Sequence, residues 1–339
     1  MPAHVLSNLV VLALLGLVVL CARRALDSRI WREGLGQLWR RRPVALVIVG
    51  LYALTAGLDS VCWIGGASAT DVVAAQKPRS VLARVVPDRE EKSYSAPLAS
   101  REFYGGAELA HPGGHVLGTD ILGRDVLAMA LRGARVAWLV GGLTSLVAIP
   151  LALLFGVASG YFGRRIDDIV FLIVSTLGSM PGLLLLIALV MALGRGTFSV
   201  CLALAVTSWV GFCRVARGET MKLREMDYVH AARVMGISDA KIILCHILPN
   251  LTHLIVIRFV LMFSGLVLSE AVLSWLGIGI DGSWGQMIAQ ARDELSREPV
   301  VWWNLAAAGV AMFGLLLAMN FVADAVRDIL DPRTRRENL

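Results

Sequence analysis

Residues 136–160 read VAWLVGGLTSLVAIPLALLFGVASG, a run of 25 residues without a charged side chain. A helix that crosses a bilayer needs roughly 20 consecutive apolar residues, so this run predicts a transmembrane helix. Six further runs meet or approach the same requirement. They lie at about 5–22, 43–64, 168–193, 198–216, 251–276 and 303–323. The predicted fold class is an all-α integral membrane protein, a polytopic bundle of about six or seven transmembrane helices.

The composition favours a membrane protein over a soluble one. Of the 339 residues, 57% are hydrophobic and 17% are charged, and the mean hydropathy is +0.69, whereas a soluble domain carries about 25% charged residues. The net charge of +6 does not indicate nucleic-acid binding, because the basic residues lie between the apolar runs. The five cysteines include no CxxC pair, so we expect neither a disulfide framework nor a metal site.

The basic residues also predict the orientation of the chain. The stretch 23–42 contains seven arginines and is expected at the cytoplasmic surface, against anionic lipids. The loop 217–250 and the tail 324–339 are then cytoplasmic, and residues 65–135 are extracytoplasmic. The run 5–22 has its positive charges after it, which favours a retained membrane helix over a cleaved signal peptide. A mistaken start site or an unusual processed leader is the alternative.

These assignments divide the chain into five segments, one of which carries a cytoplasmic loop. They are an extra N-terminal helix with a basic segment (1–42), a first core helix (43–64), an extracytoplasmic segment that ends in an amphipathic interfacial stretch (65–135), a core membrane domain with the loop 217–250 (136–323), and a cytoplasmic tail (324–339).

The cytoplasmic sequence Asp227–Asn250, DYVHAARVMGISDAKIILCHILPN, predicts two short helices joined at a break. Its first half contains good helix formers, and Gly236 suits the left-handed position that ends a helix. Ser238 has the position of an N-cap for a second helix over 239–245, and Pro249 is expected to start the next membrane helix. The pattern predicts a short rigid knob, with an ordinary connecting loop as the alternative.

Two charged residues fall inside one predicted membrane helix, 251–276. Glu270 lies in its outer half, where a carboxylate is costly, and is a candidate pathway or gate residue. A structural hydrogen bond is the alternative. Arg258 lies near the inner end of the same helix and either extends to the headgroups or lines the pathway. Pro150 and Pro181 also fall inside predicted helices and are expected to kink them.

The loop resembles the EAA signature of binding-protein-dependent ABC-transporter permeases, in which EAA is followed by glycine and then by I-x-L-P. The matching positions are Ala231, Ala232, Gly236, Leu248 and Pro249. His230 stands in place of the glutamate and His246 in place of the isoleucine, which is similar to the peptide-transporting branch of the family. Further matches within 111–335 are HVLGTDILGRDVLAMALRGAR (115–135), EAVLSWLGIGI (270–280), WGQM (284–287) and NFVADAVRDILDPR (320–333).

The resemblance implies a type I ABC importer permease of the dipeptide and oligopeptide C-subunit branch, in a bacterial cytoplasmic membrane and with a cytoplasmic C-terminus. Its implied partners are a second homologous permease, two cytoplasmic ABC ATPases and an extracytoplasmic solute-binding protein. None of the four lysines follows a glycine, so the phosphate-binding motif GxxxxGK[ST] is missing from the sequence. We therefore expect this chain to be no enzyme and to bind no cofactor, with ATP and Mg²⁺ held by the ATPases.

The resemblance also implies site residues. The helix around 228–236 would be the coupling helix that docks on an ATPase, and its small residues would let that surface approach the backbone. The coupling-loop residues are Tyr228, His230, Ala231, Ala232, Gly236, Leu248 and Pro249. The outer motif comprises Gly118, Thr119, Asp120, Gly123, Arg124 and Asp125. It either docks the binding protein or braces the outer gate, and a plain charged interfacial helix is the alternative.

The cargo implied by the resemblance is a di- or oligopeptide, with nickel or another small solute as the alternative within the same family. A stand-alone secondary transporter would need a coupling-ion site, for which Glu270 is the one central candidate. A membrane-bound assembly or signalling protein with 65–135 as its sensing region leaves the knob at 227–250 unexplained.

Overall fold

The computed structural model describes residues 36–63, 79–87, 89, 91–194 and 196–330. The predicted helix at 5–22 lies outside these residues, as do most of the basic stretch 23–42 and the last nine residues of the tail. The predictions for those segments stay predictions.

The described residues are largely helical. The helices are α1 Pro43–Ser60, α2 Leu82–Val85, α3 Val126–Phe162, α4 Arg164–Ser179, α5 Gly182–Leu193, α6 Thr197–Arg224, α7 Asp227–Val234, α8 Asp239–Ile242, α9 Leu248–Trp275, α10 Trp284–Glu294 and α11 Trp303–Leu330. A π-helical turn, Ile243–Ile247, joins α8 to α9. The strands β1 Cys62–Trp63 and β2 Arg79–Ser80 form a short antiparallel pair.

Within the described part of the chain, five helices are long and apolar enough to cross a membrane, and the pair α4 and α5 makes a sixth candidate span. The expected polytopic helical bundle is confirmed. The single helix predicted at 168–193 is wrong, because α4 and α5 meet at an angle of 94°. Pro181 explains the break, since proline disfavours a helical residue before it, and Met180 is extended (φ −83°, ψ 139°). Pro150 lies inside α3 without ending it.

Two spanning helices begin earlier than their apolar runs. Helix α3 begins at Val126, where the Asp125 carboxylate accepts a hydrogen bond from the Ala128 N–H at 3.1 Å and so caps the helix. Pro249 does not start its membrane helix, because the helix is continuous from Asp239 to Trp275. In the π turn the Leu248 N–H donates to the Ile243 carbonyl. Such a turn adds one residue without interrupting the helix.

Contacts divide the described residues into two compact units. The first comprises the residues up to 138 together with 274–277 and 281–325. In it the Tyr52 hydroxyl of α1 donates to Ala311 of α11 at 2.8 Å, and its ring meets Trp284 edge to face at 5.8 Å. Trp284 in turn donates to the Ala130 carbonyl at 2.7 Å. Both Trp284 and Trp303 are buried.

The second unit comprises residues 139–273, 278–280 and the end of α11. Helices α3 and α6 approach each other closely there. A Cβ added at Gly156 would stand only 2.7 Å from the Cys213 carbonyl oxygen. Arg217 of α6 forms two hydrogen bonds of 2.6 Å with the Asp167 carboxylate of α4. Such paired bonds fix orientation as well as distance.

Candidate functional site

Helix α7 buries one face against its own unit. Val229 and Ala232, one turn apart, are fully buried in a cluster with residues of α3, α8, the π turn and α9. The cluster comprises Val157, Tyr161, Val229, Ala232, Ile242, Ile247 and Leu251. We expected Ala232 to admit a partner surface, and this is wrong, because only 1% of the residue is exposed. Its small size serves the packing of α7 itself.

The opposite face of α7 is exposed and partly apolar. Val234 is 89% exposed and Met235 is 71% exposed, and Ala231 and His230 lie on the same accessible side. Tyr228 is less exposed, and its hydroxyl lies 3.3 Å from the Asn250 amide. His230 Nε2 lies 3.7 Å from the Glu225 carboxylate, at the edge of this face. We call Ala231, Val234 and Met235 the apolar face of α7.

Gly236 ends α7 in the predicted way. Its φ is +75°, a conformation that favours glycine. Its N–H donates to the Arg233 carbonyl at 2.9 Å, and the Ile237 N–H donates to the Ala232 carbonyl at 3.1 Å. This pair of bonds is the Schellman motif. Ile237 then packs against the buried cluster, which fixes the direction of the chain after the helix.

Polar contacts hold the loop to the C-terminal end of α3. The Tyr161 hydroxyl donates to the Asp239 carboxylate at 2.6 Å, and the Arg233 guanidinium stacks over the Tyr161 ring at 4.9 Å. Asp239 is the first residue of α8, and Ser238 stands at the N-cap without a side-chain hydrogen bond to the helix. Leu248 and Pro249 lie at the start of α9, directly after the π turn.

The outer motif is a tight turn and not the interfacial helix that we kept as an alternative. The Asp120 carboxylate accepts from the backbone N–H groups of Leu122 and Arg124 at 2.9 Å, and from the Arg124 guanidinium at 2.8 and 2.6 Å. Gly123 has a φ of +73°, and a Cβ there would overlap the Glu91 carbonyl. The turn is therefore specified by Asp120 and Gly123 together.

Thr119 and Gly118 join this turn to the start of α11. The Thr119 hydroxyl donates to the Ser93 carbonyl at 2.8 Å and accepts from the Ser95 N–H at 2.6 Å. Its carbonyl accepts from the Trp303 indole at 2.9 Å. Gly118 has a φ of +75°, and a Cβ there would overlap the Ser95 carbonyl. These contacts bury Thr119 completely.

A buried histidine joins the start of α3 to the outer segment. His115 Nδ1 lies 2.9 Å from the Asp125 carboxylate, and Nε2 lies 3.3 Å from that of Glu91. Burial alone would raise the pKa of Glu91, but the backbone N–H groups of Ala110 and His111 and the neighbouring histidines bring it below its ordinary value. Since Thr119, Asp120 and Asp125 are buried, the motif fits a brace better than a docking surface.

Sequence reasoning missed Glu294, the last residue of α10. It is 1% exposed, and its carboxylate accepts from the Asn304 amide at 3.1 Å and from the Tyr94 hydroxyl at 3.4 Å. Burial raises the pKa of Glu294, and burial together with the charge of Glu294 raises the pKa of Tyr94 to about 12. In the sequence Glu294 stands among charged residues, which gives no sign of burial.

Glu270 is buried in α9 and accepts a hydrogen bond from the Ile280 N–H at 3.3 Å. This contact joins the outer part of α9 to the chain at 278–280. It favours the structural alternative that we kept for Glu270 over a gate.

Arg258 lies in the helix that contains the apolar run 251–276, and its expected position near the inner end of the membrane span stays a prediction. Because that helix runs from Asp239 to Trp275, Arg258 is near its middle. It lines a cavity of about 600 Å³ that is bounded by residues of α5, including its first residue Gly182, and of α6 and α9. The cavity also includes the hydroxyl residues Thr207, Ser208 and Ser269.

A comparison with known families identifies the family of the chain. The profile of the family described as "Binding-protein-dependent transport system inner membrane component" matches residues 149–336, more than half of the chain. The chain belongs to this family. It is therefore a multi-pass membrane component of a binding-protein-dependent transport system, and the type of protein expected from the EAA-like loop is confirmed.

Characterised relatives of this family member are similar over about two thirds of the chain. The oligopeptide transport system permease protein OppC of Haemophilus influenzae is 33% identical over 226 residues, covering 66% of this chain and 72% of the relative. The dipeptide transport system permease protein DppC of Bacillus subtilis is 35% identical over 229 residues, covering 66% and 70%. The glutathione transport system permease protein GsiD of Pectobacterium atrosepticum is 35% identical over 224 residues, covering 65% and 73%.

Among solved structures, a chain of the inward-facing MetNI methionine ABC transporter is similar, with a TM-score of 0.49 and 18% sequence identity. The similarity covers 60% of this chain and 97% of that chain.

Proposed function

We propose that this permease carries di- or oligopeptides inward across the cytoplasmic membrane, in a complex with a second permease, two ABC ATPases and an extracytoplasmic binding protein. The names of the relatives support the cargo, since three permeases that are 33 to 35% identical are named for oligopeptide, dipeptide and glutathione transport. ATP and Mg²⁺ would be bound by the ATPases. The basic loops support a cytoplasmic position for the loop 217–250 and for the C-terminus.

The apolar face of α7 is the observation that carries the proposal. Val234 and Met235 are among the most exposed large hydrophobic residues of the loop, on a helix that is expected in the aqueous cytoplasm. An accessible apolar patch rimmed by polar residues is typical of a protein contact. The buried side of α7 and the Schellman motif hold this patch rigidly, so that a docked ATPase has a firm surface to push.

The connection from α7 to the membrane helices supports coupling. Tyr161 links Asp239 to the end of α3, and Asp239 begins the helix that continues to Trp275. A displacement of the loop is therefore transmitted to a spanning helix without an intervening flexible linker. Alternating access follows if the ATPases favour different positions of the loop in their open and closed states.

Purification and uptake test the proposal together. The complex assembled around this chain should contain an ABC ATPase and should accumulate a radiolabelled tripeptide in proteoliposomes only with ATP and the binding protein. Val234→Asp should release the ATPase and abolish uptake, since a charge would have to be buried in the contact. Leu98→Asp is the control, because Leu98 is 66% exposed in the outer segment and should leave the ATPase bound.

An ATPase that stays bound to Val234→Asp would contradict the docking assignment. A complex that binds its ATPase and hydrolyses ATP with the binding protein but moves no peptide would contradict the cargo alone.

A further inference from the structure

The cavity of the second unit contains a single charged side chain. Arg258 is the one ionisable residue among the described residues that line it, and the remainder are apolar, glycine or hydroxyl residues. Two other arginines of this unit have carboxylate partners. Arg217 is paired with Asp167 at 2.6 Å, and Arg224 with Glu225 at 2.9 Å. The described lining of the cavity therefore carries one positive charge, that of the Arg258 guanidinium.

The Nε nitrogen of Arg258 is buried and has no hydrogen-bond partner among the described residues, while the residue as a whole is partly exposed. A buried charge in a membrane helix is costly unless it meets a counter-charge or water. A partner that enters the cavity from outside the chain would supply the missing acceptor.

A glycine on the neighbouring helix makes room for Arg258, which lies near the middle of the helix Asp239–Trp275. A Cβ at Gly211, near the middle of α6, would stand 3.0 Å from the Arg258 guanidinium. The glycine therefore makes room for the guanidinium between the two helices.

The hydroxyl groups of the cavity offer acceptors and not donors. Thr207 donates to the Ala203 carbonyl at 3.1 Å, and Ser269 donates to the Gly265 carbonyl at 2.9 Å. Ser208 donates to the Leu204 carbonyl in the same way. Because each hydroxyl has one proton and uses it inside its own helix, its free lone pairs accept hydrogen bonds. A molecule with a carboxylate and several N–H groups matches this set.

We propose that Arg258 binds the carboxylate of the solute during translocation, with the planar guanidinium and two carboxylate oxygens forming paired hydrogen bonds. For a peptide this is the C-terminal carboxylate, while N–H groups of the peptide donate to the hydroxyls of Thr207 and Ser208. The inference rests on the proposed importer function and adds a recognition step inside the membrane to it.

Uptake of a tripeptide and of its C-terminal amide tests the site. The wild-type complex should prefer the free acid, and Arg258→Gln should reduce the acid-to-amide ratio by about tenfold, the equivalent of one charged hydrogen-bond pair. The ratio is informative because the binding protein is the same in every variant and its own preference cancels. Arg258→Lys keeps the charge without the paired geometry, so its acid-to-amide ratio should lie between those of the wild type and Arg258→Gln.

Arg214→Gln is the matched control, since Arg214 is exposed, does not line the cavity and donates to the Val174 carbonyl at 3.4 Å. Its ratio should equal that of the wild type. A ratio unchanged in Arg258→Gln, at equal amounts of inserted protein, would overturn the proposal.

Chemical labelling separates this proposal from the peptide cargo. In the purified wild-type complex, p-hydroxyphenylglyoxal should modify Arg258, as measured by mass spectrometry of the digested chain. Acetate and the free-acid tripeptide should protect Arg258, and the tripeptide amide at equal ionic strength should not. Protection by acetate without any peptide uptake would keep the carboxylate site and reject the peptide cargo. Equal modification under all conditions would reject the site.

Discussion

The loop 227–250, for which we propose a cytoplasmic position, and the segment 91–125, for which we propose an extracytoplasmic position, arrange their side chains in opposite ways. We call them the inner loop and the outer segment. The outer segment buries Thr119, Asp120 and His115 and gives each of them hydrogen-bond partners. The inner loop buries apolar residues on one side and exposes Val234 and Met235 on the other.

This difference indicates what each region needs. A segment that satisfies its buried polar groups internally is complete without a partner. A rigid helix that leaves large apolar side chains in water is stabilised when another surface covers them. We therefore interpret the outer motif as a brace and the inner loop as a contact.

The largest expected effect distinguishes the two faces of α7. Ala232→Asp places a charge in the buried cluster and should lower the free energy of unfolding by about 3 to 5 kcal/mol, the range for an unpaired buried charge. Ala231→Asp, on the exposed face, should change it by less than about 0.5 kcal/mol. Thermal unfolding of the purified permease without its ATPases measures both, since Ala231 belongs to the face that the ATPase is proposed to cover. Equal losses would show that α7 does not have one buried side.

A smaller effect is expected in the outer turn. Gly123→Ala should cost about 3 kcal/mol, because the methyl group meets the Glu91 carbonyl and the positive φ is strained. Gly106→Ala is the control, since Gly106 has a φ of +66° but open space around it, and strain alone costs about 1 to 2 kcal/mol. The difference between the two Tm shifts isolates the packing of the turn, and a difference of zero would contradict the brace.

The Schellman motif gives the next effect. Gly236→Ala should destabilise the loop by about 1 to 2 kcal/mol through its positive φ alone, since no atom lies within 4 Å of an added Cβ. Gly218→Ala, on the helical backbone of α6 and also in open space, should be neutral or stabilising by up to about 1 kcal/mol. Hydrogen exchange of the α7 amides reports the change. Unaltered exchange in Gly236→Ala would argue against a rigid knob.

The smallest effect concerns pH. Burial raises the pKa of Glu294 above its ordinary value of 4.5. Because the folded protein accommodates the protonated carboxyl more easily than the carboxylate, the free energy of unfolding should fall as the pH rises from 4.5 through the raised pKa. Relative to Glu294→Gln, the wild type should lose Tm as the pH rises above 4.5. Comparing the two proteins at each pH removes the opposite contribution of Glu91, whose lowered pKa makes its stabilisation disappear in acid. A pH-independent difference would mean that Glu294 does not titrate there.

The sequence predicts the spans and the end of α7 well. Long apolar runs have one physical solution in a bilayer, and Gly236 follows a run of helix formers at the position where a positive φ ends a helix. These are local signals. The apolar run at 168–193 also shows that hydropathy alone does not predict the bend at Pro181.

The parts that sequence reasoning missed depend on packing between distant segments. Ala232 and Ala231 are identical in type and adjacent in sequence, and only the cluster formed with Val157 and Leu251 makes one of them buried. The π turn before Leu248 conceals the continuity of the helix from Asp239, in which Arg258 lies near the middle. Glu294 is recognised as buried only once Asn304 and Tyr94 surround it.

Site-specific crosslinking tests the central claim, that the apolar face of α7 contacts an ATPase. A photoreactive p-benzoylphenylalanine would be placed at Val234, at Met235 and, as the control, at Leu98 of the outer segment. The account predicts crosslinks from Val234 and Met235 to a cytoplasmic ATPase subunit, with yields that change when ATP is added, and none from Leu98. Complexes that transport solute while neither α7 position crosslinks to an ATPase would contradict it.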